Sequence, residues 1–151
     1  MNGREDKKLN DLFFVCSLIE YVDRQTKNER KVVVNALGLK GLEHYYELAE
    51  VYHCENIDKV TGELIEKYHI ATGYYDNVVE AQSSVSTHWD VGKVMYRLVY
   101  EVAENSGGDV IGALVEVYNS WIVLKIDNYN SSMYYENTSY QYASYREGKP
   151  L

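Results

Sequence analysis

Proline is nearly missing: this chain of 151 residues holds one, Pro150. Few turns are forced, no proline-rich linker is present, and uninterrupted helices are permitted. Cysteine is scarce too, and Cys16 and Cys54 form no C-x-x-C spacing. That excludes a disulfide scaffold and reads as two free, buried thiols in a reducing compartment. No apolar run reaches the length of a membrane span; the best, 110–126, is broken by Glu116, Asn119, Ser120 and Lys125. The opening MNGREDKKLNDL carries charge without an apolar core and cleavage site behind it, so no secretory leader is read and a cytoplasmic setting is expected. Basic residues are few, 15 Lys and Arg against 23 Asp and Glu, and the net charge of −8 disfavours nonspecific binding to phosphate backbones or anionic lipid. Phenylalanine and tryptophan occur twice each against 16 tyrosines, so aromatic contacts here are mostly phenolic.

What is present is the composition of one globular domain, 1–151, with 46% hydrophobic and 25% charged residues. Residues 9–24 read as a helix apolar almost all round, with only Ser17 and Glu20 polar between Leu12 and Val22. Such a helix belongs in the middle of a core. Thr26-Lys27-Asn28-Glu29 has capping-box spacing and predicts a short helix that stops at Gly38. Leu42, Tyr45, Tyr46, Ala49 and Tyr52 fall on one face of a third helix; Ile57, Val60, Leu64 and Tyr68 on one face of a fourth, capped by Asn56. These complete an N-terminal helical subdomain, 9–69.

Residues 70–88 lose periodicity and read as a long loop. The C-terminal part, 86–151, opens with a fifth helix from Trp89 to Asn105 behind Ser86 or Thr87, with Val91, Met95, Leu98 and Val102 inward. Gly107-Gly108-Asp109 ends it and gives a clean start to a helix over 110–129; a small β-hairpin within 114–126, turning at Asn119-Ser120, is the alternative. The tail 127–147 places six tyrosines among Asn and Ser. The expected fold is therefore mainly α, a compact domain of five to six helices with an irregular tyrosine-rich C-terminal segment.

No motif carries chemistry. His53 and Cys54 are adjacent, so on a helix they diverge by about 100° and cannot clamp one metal unaided. Cysteine–histidine catalysis needs an activated thiolate, and neither an apolar setting (Cys16) nor an acidic one (Cys54) supplies it. Glu63 with Glu66, and Glu101 with Glu104, read as solvated helix faces. Ser106-Gly107-Gly108-Asp109 lacks the lysine of a phosphate-binding loop. No catalytic residue, cofactor or metal is expected.

Two surfaces merit attention. Tyrosine offers large amphipathic area while freezing only two torsions, so Tyr134, Tyr135, Tyr140, Tyr142 and Tyr145 are candidate partner-binding residues; equally, they can pack back over the helical body. Residues 1–40 carry a balance of +2 and 41–70 one of −5. The basic cluster Arg24, Lys27, Arg30, Lys31 and Lys40 has a helix-turn-helix outline, but the following helix, Gly41–Glu47, is acidic and lacks base-reading side chains. Nucleic-acid binding is not expected.

Phe14-Val15, Ile19-Glu20, the Leu37-Gly38 step, and Tyr52-His53 ahead of a helix near Asn56 give residues 12–68 a likeness. The pattern resembles a family of small uncharacterised bacterial helical domains encoded beside ADP-ribosyltransferase-like proteins in operons that look like toxin–antitoxin pairs. The family usually has leucine where Tyr52 stands. The resemblance implies a neutralising or accessory partner of a toxin-like enzyme. The expectation is a noncatalytic protein-binding module, antitoxin-like or a defence-linked inhibitor, that occludes its partner. The alternatives are a helix-turn-helix DNA-binding regulator and an acidic inhibitor, carried by a mobile element, of a nucleic-acid enzyme such as a CRISPR effector.

Overall fold

The computed structural model describes residues 3–76, 87–128 and 132–151. Helix α1 (Gly3–Thr26) is its axis. Every residue from Asp11 to Glu20 is buried except half-buried Phe13, as an all-round apolar helix requires. Helix α2 (Arg30–Glu47) does not begin with the expected capping box. Thr26 is the last residue of α1, and its hydroxyl donates back to the Val22 carbonyl at 2.8 Å. Glu29, the residue before α2, makes no side-chain cap. Gly38 interrupts the helix where expected: its φ of 69° breaks the helical path, and helical turns resume beyond it so closely that α2 is one kinked element.

Helix α3 (Ala49–His53) follows across Leu48, and α4 (Ile57–Tyr68) starts where Asn56 accepts the Asp58 amide at 2.8 Å. Leu42, Tyr45, Ala49, Val60 and Leu64 all face the core. Residues 70–76 then run as a strap beside the end of α1, where Gly73 donates to Thr26 O at 2.7 Å and Tyr75 to Lys27 O at 2.8 Å. The remainder of the expected loop, 77–86, including the candidate cap Ser86, lies outside the described residues. Thr87 is the cap of α5 (His88–Glu104), in a reciprocal capping box with Asp90.

Helix α5 lies closest to α1. A Cβ on Gly92 would meet Ser17 Cα at 2.8 Å, so the two backbones touch where both side chains are small. Asp109 caps α6 (Val110–Tyr118), accepting from Gly112 at 3.0 Å. Neither the hairpin nor a continuous helix over 110–129 forms: no strand occurs among the described residues, and α6 gives way to α7 (Trp121–Asp127) at Asn119-Ser120. The Asn119 amide donates to Val115 O at 2.9 Å and the Ser120 hydroxyl to Val117 O at 2.7 Å. Both thus close the C-terminal end of a helix instead of turning a ribbon.

The described part of the tail, 132–147, is not irregular. A 3-10 turn, Met133–Tyr135, leads to α8 (Thr138–Glu147), capped by Asn137 and ended by left-handed Gly148. Eight α-helices therefore replace the expected five to six among the described residues. Their apolar side chains form one core that runs from Leu12 to Tyr134. None of these helices is long and apolar enough to cross a membrane.

Candidate functional site

Arg30, counted with the basic surface residues in the sequence, is wholly buried and takes no part in that surface. Glu20, one of the two polar residues in the apolar run of α1, explains part of this. Glu20 has no water to solvate it, and a buried carboxylate needs a cation. Arg30 supplies it: Nε donates to Glu20 Oε1 at 2.7 Å, and a terminal nitrogen pairs with the same carboxylate. Its other terminal nitrogen lies 2.8 Å from Asp23 and 3.1 Å from Asp127, both at most 2% exposed. Tyr118 donates to Glu20 at 3.2 Å and Tyr75 to Asp127 at 3.3 Å.

One guanidinium thus joins α1, α2 and α7, with α6 and the strap attached through phenols. Burial lowers the affinity of Arg30 for its proton, but Glu20, Asp127 and Asp23 more than reverse that. Burial raises Asp23 to about 8 and Asp127 to about 7, against the pull of Arg30 and with added repulsion from Glu20. Shifted carboxylates can mark an active site when they line a cleft. A cleft of about 230 Å³ does reach Arg30 and Tyr118, but its walls contain none of the three buried carboxylates. The cluster holds helices together.

The remaining basic candidates are dispersed. Lys27 pairs with Asp76 at 2.7 Å, Lys31 lies 3.7 Å from Glu29, Lys40 is exposed and Arg24 half-buried. The tail tyrosines are largely turned inward. Tyr134 is buried and meets the exposed Tyr135 edge-on at 5.0 Å. Tyr140, Tyr142 and Tyr145 pack against the core; Tyr140 donates to the Leu151 carbonyl and Tyr145 to Glu116, each at 2.6 Å. Arg146 sits 5.8 Å over the Tyr142 ring.

A groove of about 490 Å³ opens between α1 and α3 instead, lined by Asp11, Phe13, Phe14, Glu50, His53 and Cys54 among others. Its aromatic wall continues across α5. His53 stacks on Trp89 at 5.8 Å and 24°, Phe13 meets Trp89 at 5.7 Å, and Tyr96 stands edge-on to Phe13 at 5.4 Å. The chain of rings extends from Trp89 through His88 to Tyr21, with centroids 4.8 and 4.7 Å apart. Partial burial first, then Arg24, lowers the His88 pKa, favouring the uncharged imidazole.

Adjacent Phe13 and Phe14 divide the work: Phe14 is 3% exposed and belongs to the core, while Phe13 turns about 100° away to the rim. Cys16 is buried as expected and its thiol is raised by that burial; Cys54 is exposed, correcting the expectation of a buried thiol, because α3 ends one residue before it. The described residues contain no group of three or more His, Cys, Asp or Glu side chains placed to hold a metal. Sequence reasoning missed this wall because its members come from α1, α3 and α5 and share no local spacing. Comparison with family models, curated proteins and solved structures gives no match for this chain.

Proposed function

We propose that the protein is a noncatalytic binding module that grips another protein, an antitoxin-like or defence-linked inhibitor acting by occlusion. One observation carries the reading: rings from three helices meet at the surface beside a groove instead of in the core. Tryptophan and its aromatic neighbours are the side chains that anchor protein interfaces, since each desolvates a large area at small entropic cost. The net charge of −8 favours encounter with a basic partner.

This reading moves the contact surface from the tail tyrosines to the wall around Trp89, while the tail serves mainly to close the core. The test is capture from the native host, comparing wild type with Trp89→Ala. Recovery of a protein by wild type, with retention reduced about tenfold or more in the variant, is expected of an interface anchor. Equal recovery by both proteins removes the wall from the interface. Recovery of nucleic acid alone would favour the DNA-binding alternative.

A further inference from the structure

We infer that the groove between α1 and α3 receives an arginine-bearing basic segment of the partner, its guanidinium seated on Asp11 where the chain's own Lys7 ammonium now lies. This deepens the binding reading and rests on it.

The argument starts from Asp11. Its carboxylate is buried to about nine-tenths on the groove wall, with side-chain exposure of 10%. Its cation is Lys7, 2.7 Å away, which also reaches toward Glu50 at 3.5 Å. Lys7 is 51% exposed and Glu50 72%, so this internal cation is held from the solvent side. Lys7 approaches Asp11 from solvent on a long flexible stem, so its ammonium can give way to a cation that fits the groove better.

The groove suits a guanidinium better than an ammonium. Phe13, Phe14 and His53 line it beside Asp11, with Trp89 stacked behind His53. A guanidinium is planar, binds a carboxylate through two parallel N–H donors and lies flat on aromatic faces; an ammonium has neither the fork nor the plane. The two carboxylates disfavour phosphate groups, and a wholly apolar occupant would cover the Asp11 carboxylate without adding any hydrogen bond to it. Arginine on a basic segment satisfies the rings and the charge together.

The experiment uses the full chain carrying Trp121→Phe, so that Trp89 is the sole tryptophan. The probe is a synthetic peptide alternating arginine and glycine, compared with its citrulline counterpart at about 0.15 M salt. The arginine peptide is expected to change Trp89 fluorescence saturably and the citrulline peptide not. Asp11→Asn should weaken the interaction about tenfold, and Lys7→Ala should tighten it about threefold or more by removing the competing cation. Lys59→Ala and Glu147→Gln make the same charge changes elsewhere and should shift binding by no more than about twofold, since salt screens distant charges.

Lys7 is exposed, so its variant tests the inference even if Asp11→Asn is poorly folded. No saturable response, or equal shifts from the remote variants, overturns the arginine site. A host partner retained equally by wild type and folded Asp11→Asn would overturn it while leaving the binding reading intact. Failure of wild type to capture any protein would instead overturn the binding reading.

Discussion

At the crossing of α1 and α5 the decisive side chain is the one Gly92 does not have. A methyl there would come within 2.8 Å of Ser17 Cα and 2.9 Å of its amide nitrogen, which is backbone and cannot swing aside. Overpacking of this kind costs about 1–3 kcal/mol, so Gly92→Ala should lower the urea midpoint by a corresponding amount. An unchanged midpoint would mean that the helices can part without loss. Arg30 presents the opposite case, a large side chain that nothing nearby can replace. Arg30→Met removes the guanidinium that pairs with buried Glu20, Asp23 and Asp127 and should cost about 3–5 kcal/mol by the same measurement. The need for Arg30 was half legible: Glu20 in an otherwise apolar helix demands a buried cation, but spacing did not reveal which one.

Helix starts with a single side-chain acceptor beside an apolar stripe were read well, whereas the capping box read at Thr26 was not formed. Asn56 and Thr87 cap the helices assigned to them, and Asp109 caps a helix that starts where expected but ends at Tyr118, because a side-chain acceptor beside an apolar stripe is a local signal. The corner at Asn119-Ser120 escaped notice because those side chains bond backward to carbonyls and apolar residues continue beyond them. Helix α8 was obscured for another reason: its buried face is polar. Gln141 donates to Met133 O at 3.0 Å, and the Ser144 hydroxyl accepts from Leu151 at 3.4 Å, so no apolar period marks it. The strap 70–76 is a further element without periodicity, specified by close backbone approach. A Cβ on Gly73 would lie 2.6 Å from the Lys27 carbonyl. Gly73→Ala should therefore release the strap, and hydrogen exchange at the Tyr75 amide, now bonded to Lys27 O, should become much faster. Unaltered protection would show that the strap is held by its side chains alone, through Tyr75 on Asp127 and Asp76 on Lys27.

For the whole molecule, the buried cluster makes stability depend on pH in an uncommon direction. Three carboxylates surround one guanidinium, all at most 2% exposed, so full ionisation would leave a net negative charge in a medium that solvates it poorly. The cluster avoids this by holding a proton. Asp23, raised by burial to about 8, and Asp127, raised to about 7, keep in the folded chain a proton that an unfolded aspartate gives up near its ordinary value of 3.8. Because the folded state binds more protons between those values, the stabilisation is fully present below about pH 4 and is lost as the pH climbs through 7 to 8. Each retained proton corresponds to a slope of about 1.4 kcal/mol per pH unit, and the growing negative charge of an acidic surface acts in the same direction. The urea midpoint should thus fall steadily from pH 5 to pH 8. Asp23→Asn separates the two contributions: it keeps a hydrogen-bonding group of the same shape but cannot ionise, so it should flatten the slope. Glu147→Gln, exposed on α8, removes the same charge without touching the cluster and should leave the slope nearly as steep. A midpoint that instead rises with pH would mean that Arg30 sustains all three carboxylates in their charged form.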